Sequence, residues 1–238
     1  MKTGSLSQSI CCLLATFLVA GSVHSQEAVN KRPDPKRFIK EIEKFEELDK
    51  SAPPTKGGIV FTGSSSIRLW KTTEAFPDLP VLNRGFGGSV ANDLIVYFDT
   101  VVTPYEPKVL VLYTGSNDLN ANLTVEEVVA DYTKFLGMVH DKFPITKVIV
   151  NSVKTSIKRW DQYESVKQLN VALESWSKGK DWIVWVEATS HLLGSDGKPR
   201  PEIFREDKLH LNDTGYAEWN AIISPYLHEE WAKLKTKK

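Results

Sequence analysis

The chain has 238 residues, 41% of them apolar, with 30 basic and 30 acidic side chains and a formal net charge of zero. That is enough apolar chain to bury the core of one domain. Balanced charge without a clustered basic face argues against nucleic acid as a partner and against electrostatic docking on anionic lipid.

Residues 1–25 have the layout of a secretory signal peptide. Lys2 is followed by an apolar stretch, 10–21, that is too short to cross a bilayer comfortably. Val23-His24-Ser25 places small residues around a cleavage point before Gln26. The mature protein is therefore expected to be secreted or periplasmic, without stable membrane association. Cys11 and Cys12 both fall in this segment, which leaves the mature chain no disulfide, cysteine nucleophile or thiolate metal site.

Residues 26–57 read as a polar lead-in and one amphipathic helix. Asp34-Pro35 supplies an N-cap and a proline at the first helical position. Phe38, Ile42, Phe45 and Leu48 recur at helical spacing, and Pro53-Pro54 and Gly57-Gly58 close the helix. From 58 to 238 short apolar runs alternate with longer amphipathic segments. The runs at 59–62, 81–83, 109–113, 148–153 and 183–186 predict buried strands. The segments at 89–102, 124–143, 162–178 and 212–234 predict helices. Near-continuous apolar strands separated by helices imply an α/β fold, a three-layer α/β/α sandwich around a mainly parallel five-stranded sheet in flavodoxin-like order.

Four motifs stand in order along this frame: Gly63-Ser64-Ser65-Ser66, Gly85-Phe86-Gly87-Gly88, Gly115-Ser116-Asn117-Asp118 and Asp207-Lys208-Leu209-His210. The first three follow predicted strands, at the edge where ligands bind in open α/β sheets. A serine, backbone and side-chain amides, an acid and a base are the parts needed for acyl transfer. His210 is the candidate base, because it alone has an acid three residues before it; His191, after strand five, is the rival. Any of the three serines could attack, the others serving as helix caps. The strand-to-helix turn presents Ser65 at the helix start. The glycine-rich loop departs from the dinucleotide spacing and has no Walker lysine after it. No metal-ligand spacing is present, so neither cofactor nor metal is expected. Arg159 and Trp160, on a loop at the same edge, are candidates for substrate contact or loop structure. Asn92, Asp93 and Asn120 are expected on the polar rim, Asp118 in loop structure, and Trp70 in the core. Asn122-Leu123-Thr124 and Asn212-Asp213-Thr214 match the N-glycosylation sequence close to the site.

The set resembles the SGNH hydrolase superfamily, the GDSL esterases, in a branch similar to platelet-activating-factor acetylhydrolase catalytic subunits. The resemblance runs from about Gly58 to the last helix. It implies Ser65 as nucleophile, Asp207 and His210 as its acid and base, and an oxyanion hole from Ser65, Gly88 and Asn117. Ser64 stands where the family usually has Asp, a position outside the catalytic set. The implied activity is hydrolysis of short-chain, chiefly acetyl, esters of small molecules or carbohydrates through an acyl-enzyme. An O-acyltransferase, or a non-catalytic glycan- or lipid-binding domain on the same fold, are the alternatives.

Overall fold

Strands that are apolar along their whole length need cover on both faces, and the computed structural model, which describes Met1 and residues 32–236, provides it. The segment expected to be a signal peptide lies, apart from Met1, outside the described residues, as do both cysteines. In chain order the elements are α1 (Ile39–Ser51), β1 (Ile59–Gly63), α2 (Ser65–Arg68), α3 (Thr72–Ala75), β2 (Val81–Gly85), α4 (Ala91–Val96), α5 (Phe98–Val101), β3 (Val109–Tyr113), α6 (Ser116–Asn120), α7 (Val125–Lys142), β4 (Lys147–Asn151), α8 (Tyr163–Ser177), β5 (Ile183–Val186) and α9 (Asp213–Thr236). All five strands are parallel, in the order β2-β1-β3-β4-β5. Among the described residues no helix is long and apolar enough to cross a membrane.

The two-residue period of a strand sorts its side chains into two cores. Val60, Leu110, Leu112, Val148 and Val150 face one way and pack with Phe135, Leu136 and Val139 of α7 and Leu169 and Leu173 of α8. Ile59, Phe61, Val109, Val111 and Ile149 face the other way, against Ile67, Trp70 and, from α9, Tyr216, Trp219, Ile223 and Leu227. Trp219 is fully buried, with Trp70 and Tyr113 at ring-centroid distances of 5.3 and 5.2 Å. Thr124 caps α7 reciprocally with Glu127: its hydroxyl accepts from Glu127 N, and its own N–H donates to the Glu127 carboxylate.

The lead-in helix belongs to this packing. Phe38 and Ile42 enter the first core, with Phe38 edge-on to Phe86 at 5.0 Å. Arg37 pairs with Asp93, Arg84 with Asp49, and Tyr97 Oη donates to Pro35 O at 2.8 Å. The expected helix over 89–102 is two short helices divided at Tyr97, whose carbonyl accepts from both Thr100 and Val101. Ile95 and Val96, β-branched and weak helix formers, precede the break.

Register sets the height of the loops. Ile59 lies level with Val81 and with Val109, and Gly63 level with Gly85 and Tyr113. Three strands therefore end at one level, and the chains leaving them start side by side.

Candidate active site

Gly63 ends β1 with φ of +138°, and a Cβ there would lie 1.9 Å from Tyr113 O. Only glycine allows β1 and β3 to come this close before the chain turns. Ser64 N then donates to Tyr113 O at 3.0 Å, and the turn delivers Ser65 to the first position of α2. Ser64 and Ser66 are buried, each 4% exposed, while Ser65 is half-exposed. Neither flanking hydroxyl caps the helix. Tyr216 of α9 donates to Ser66 O at 2.8 Å and pins the turn from below.

The loop after β2 is stitched to the same turn. Phe86 N and Ser89 Oγ both donate to Gly63 O, at 3.0 and 3.2 Å. Gly88 is exposed with φ of +80°, and a Cβ there would meet nothing within 4 Å. The backbone N–H groups of Ser65 and Gly88 have no acceptor among the described residues. From the loop after β3, Asn117 Nδ2 donates to Ser89 O at 2.9 Å, which leaves its second hydrogen available. Its Oδ1 accepts from Arg159 Nη1 at 3.0 Å; the same nitrogen lies 3.0 Å from Ser116 O and 2.9 Å from Ser116 Oγ.

His210 arrives on the loop before α9. Its Nε2 lies 2.8 Å from Ser65 Oγ and its Nδ1 2.6 Å from Asp207 Oδ2. An ionised carboxylate only accepts, so Nδ1 carries the proton and Nε2 is free to receive one from the serine. Burial raises the Asp207 pKa, but the His210 ring, His210 N and Leu209 N outweigh it and hold the carboxyl far below its usual range. The tight loop needs a left-handed residue, and Lys208 takes φ of +57°.

Of the other sequence candidates, Arg159 reaches this centre and Trp160 does not. Trp160 stacks on Tyr163 at 4.3 Å and does not line the cavity at Ser65. His191 lies 3.8 Å from Glu218 of α9, with its pKa lowered by burial. Asp93 is not on the rim: it is fully buried, accepts from Val90 N at 2.8 Å and pairs with Arg37. Trp70 is core, 2% exposed, its Nε1 bonded to Asn220. Asn212 commits its amide to Glu202 O, Phe204 O and Gly215 N at the start of α9.

Two residues that sequence reasoning missed complete the surroundings. Asp118 is in α6, not in a loop, and is fully buried. Its carboxylate accepts from Gly115 N at 3.1 Å and from Ala91 N at 2.8 Å, tying the third motif to the segment after the second. Burial pushes its pKa up to about 7 against the N–H groups of Ala91 and of Asp118 itself. Lys154, 3% exposed, lines the cavity beside Ser65 and donates to Leu209 O at 2.5 Å. Burial, and then the charge of Arg159, push its pKa down to about 7. A lysine just past the carboxyl end of an apolar strand was the available signal. Among the described residues no group of three His, Cys, Asp or Glu side chains could hold a metal ion.

The arrangement offers a hydroxyl in contact with an oriented imidazole, and three N–H groups on adjoining loops. No curated protein sequence matches this chain. Among solved structures, a Streptococcus pneumonia protein named for platelet activating factor superposes with a TM-score of 0.73 at 21% identity, over 81% of this chain and 93% of that one. A GDSL-like lipase from Bacteroides thetaiotaomicron gives 0.66 at 20%, over 82% and 98%. An acetylxylan esterase from Geobacillus stearothermophilus gives 0.59 at 12%, over 73% and 95%. These likenesses carry the fold. Residues 68–218 match the GDSL-like lipase/acylhydrolase family, a span that holds Gly88, Asn117, Asp207 and His210 and begins three residues after Ser65. With most of its length inside that match, the chain belongs to the GDSL-like lipase/acylhydrolase family and is a serine hydrolase of the SGNH type.

Proposed function

We propose that the protein is an exported carboxylic ester hydrolase that cleaves short-chain, chiefly acetyl, esters of small molecules or carbohydrates. Ser65 is the nucleophile, His210 the base and Asp207 its orienting acid. The observation that carries this reading is the unbroken chain Ser65 Oγ–His210 Nε2–His210 Nδ1–Asp207 Oδ2, with contacts of 2.8 and 2.6 Å.

The steps follow from that chain. Ser65 Oγ adds to the ester carbonyl carbon while its proton passes to His210 Nε2. The negative charge on the former carbonyl oxygen is met by the N–H groups of Ser65 and Gly88 and the free hydrogen of Asn117 Nδ2; one such donor is worth roughly 3–4 kcal/mol of barrier. The C–O bond to the alcohol breaks, and His210 returns its proton to the departing oxygen. A water then repeats the sequence on the acyl-enzyme, giving the free acid and restoring Ser65. Export rests on the signal-peptide layout of residues 1–25. The acetyl and carbohydrate preference is supported by the polar lining of the cavity and by the acetylxylan esterase among the structural neighbours.

Turnover of p-nitrophenyl acetate by single variants tests the assignment. Ser65→Ala and His210→Ala each abolish activity, and the double variant is no worse than either, because the two act as one unit. Ser64→Ala and Ser66→Ala stay within about tenfold of the parent, or roughly 1.4 kcal/mol. An active Ser65→Ala would refute the assignment.

A further inference from the structure

We propose that Lys154 and Arg159 form a binding site for a carboxylate anion beside Ser65. The proposal rests on the ester-hydrolase reading and names a ligand of that same site. Both side chains line the cavity that Ser65, Asn117 and His210 also line, with Tyr113 at its wall. The enclosed part of the cavity has room for about one water-sized sphere, roughly 10 Å³, which fits one carboxylate oxygen with the rest of the ligand at the open mouth.

Neither cation has a carboxylate within 4.0 Å among the described residues. Elsewhere Arg32 pairs with Asp131, Arg84 with Asp49 and Arg200 with Glu218, while Arg205, also partly buried, gives its Nε to Leu211 O. Lys154 is the one lysine buried among the described residues, and an unpaired buried ammonium is costly. Its Nζ gives one hydrogen to Leu209 O. Arg159 spends Nη1 on Ser116 and Asn117, and its Nε and Nη2 have no partner among the described residues. Tyr113 Oη is buried, with the Ser66 side chain and the Lys154 backbone beside it. The unused groups are charged donors around an uncharged phenol, which suits a ligand that is anionic and accepts only. The transient oxyanion has its own donors in the proposed mechanism. What remains is a carboxylate, either the acid released when the acyl-enzyme is hydrolysed or a second acid group carried by the substrate.

The test follows hydrolysis of esters of one neutral chromogenic alcohol at constant ionic strength. If the released acid is the ligand, sodium acetate inhibits competitively where sodium chloride does not, and Lys154→Met raises the inhibition constant by about tenfold or more. If the substrate carries the anion, the hemisuccinate ester exceeds the butyryl ester in kcat/KM by about tenfold, and Lys154→Met removes that preference. Lys154→Arg keeps the charge and the effect. Arg159→Gln serves if Lys154→Met does not fold. Acetate binding to the inactive Ser65→Ala protein, followed by ligand-observed NMR, reads the site without turnover. No acetate binding beyond that of chloride, together with no hemisuccinate preference in a Ser65-dependent esterase, overturns the carboxylate site and leaves the esterase reading standing. Ser65-independent turnover overturns the esterase reading instead.

Discussion

The orientation of the Asn117 amide is fixed by what a flip would bring together. With Oδ1 on Arg159 Nη1 and Nδ2 on Ser89 O, each contact joins a donor to an acceptor; reversed, each would oppose like with like. A guanidinium on the amide oxygen also polarises the N–H that is left for an oxyanion. Arg159→Met is therefore expected to lower kcat for a neutral acetyl ester by about tenfold with KM nearly unchanged, the pattern of a lost transition-state contact. A change confined to KM for this neutral ester would mean that Arg159 does not act through the Asn117 amide. Lys154 carries a prediction about stability. Its folded pKa, about 7, lies below the ordinary 10.5. Between those values the unfolded chain holds a proton that the folded chain has lost, so this group makes stability rise with pH across that window and costs most below about 7. Lys154→Met should raise stability at pH 6 by about 2 kcal/mol after loss of the Leu209 hydrogen bond, and the gain, falling by about 1.4 kcal/mol per pH unit above 7, should be gone by about pH 8.5. Melting curves of both proteins from pH 6 to 10 check this. That Ser65, Asn117, Asp207 and His210 come together was legible because each belongs to a motif. Lys154 was not, because its position depends on a loop from a distant segment closing over it.

Among the elements, α6 and α4 are joined through one carboxylate. Asp118→Ala would orphan the N–H groups of Gly115 and Ala91, at about 1–3 kcal/mol each. Removing a buried acid returns part of that, and a net loss of about 2 kcal/mol is expected in denaturant unfolding, with kcat reduced as Asn117 and Gly88 lose their mutual register. The connections themselves bear on the acyl length expected of the substrate. The segments between β3 and α7 and between β4 and α8 hold only α6 and a 3₁₀ turn at Trp160–Gln162, too little for a helical lid. The cavity offers Leu209 and the Tyr113 ring as apolar surface. A long acyl chain gains about 0.8 kcal/mol per methylene only where it can be buried, so kcat/KM should favour acetyl over octanoyl esters of one alcohol. Equal values would reveal a groove suited to lipids. The strands and long helices were readable from periodicity, since burial on both faces leaves an unbroken apolar run. The division at Tyr97 was not. The β-branched Ile95 and Val96 weaken the helix there, but Tyr97 is also held by Phe86 and Pro35, contacts that no local pattern encodes.

Across the whole molecule, a segment outside the family match braces the proposed oxyanion loop. Phe38 packs edge-on to Phe86, Glu41 accepts from Gly87 N at 3.3 Å, and Arg37 holds Asp93 at the start of α4. Phe38→Ala should cost about 3 kcal/mol in denaturant unfolding and should lower esterase activity before the protein unfolds. Its helical spacing placed Phe38 in a helix; only the fold reveals the loop that it braces. Ser65, Gly88 and Asn117 rise from three adjacent strands that end at one level, β1 and β3 inside the five-stranded sheet and β2 at its edge. His210 instead comes from an irregular loop anchored by Lys154 Nζ on Leu209 O, Lys158 N on Lys208 O and Arg205 N on His210 O. The nucleophile and its base therefore sit on parts of unequal resistance to opening. Heat should silence the enzyme in two stages: the base-bearing flap loosens first, reversibly, while far-UV circular dichroism is still native, and the sheet melts at a higher temperature.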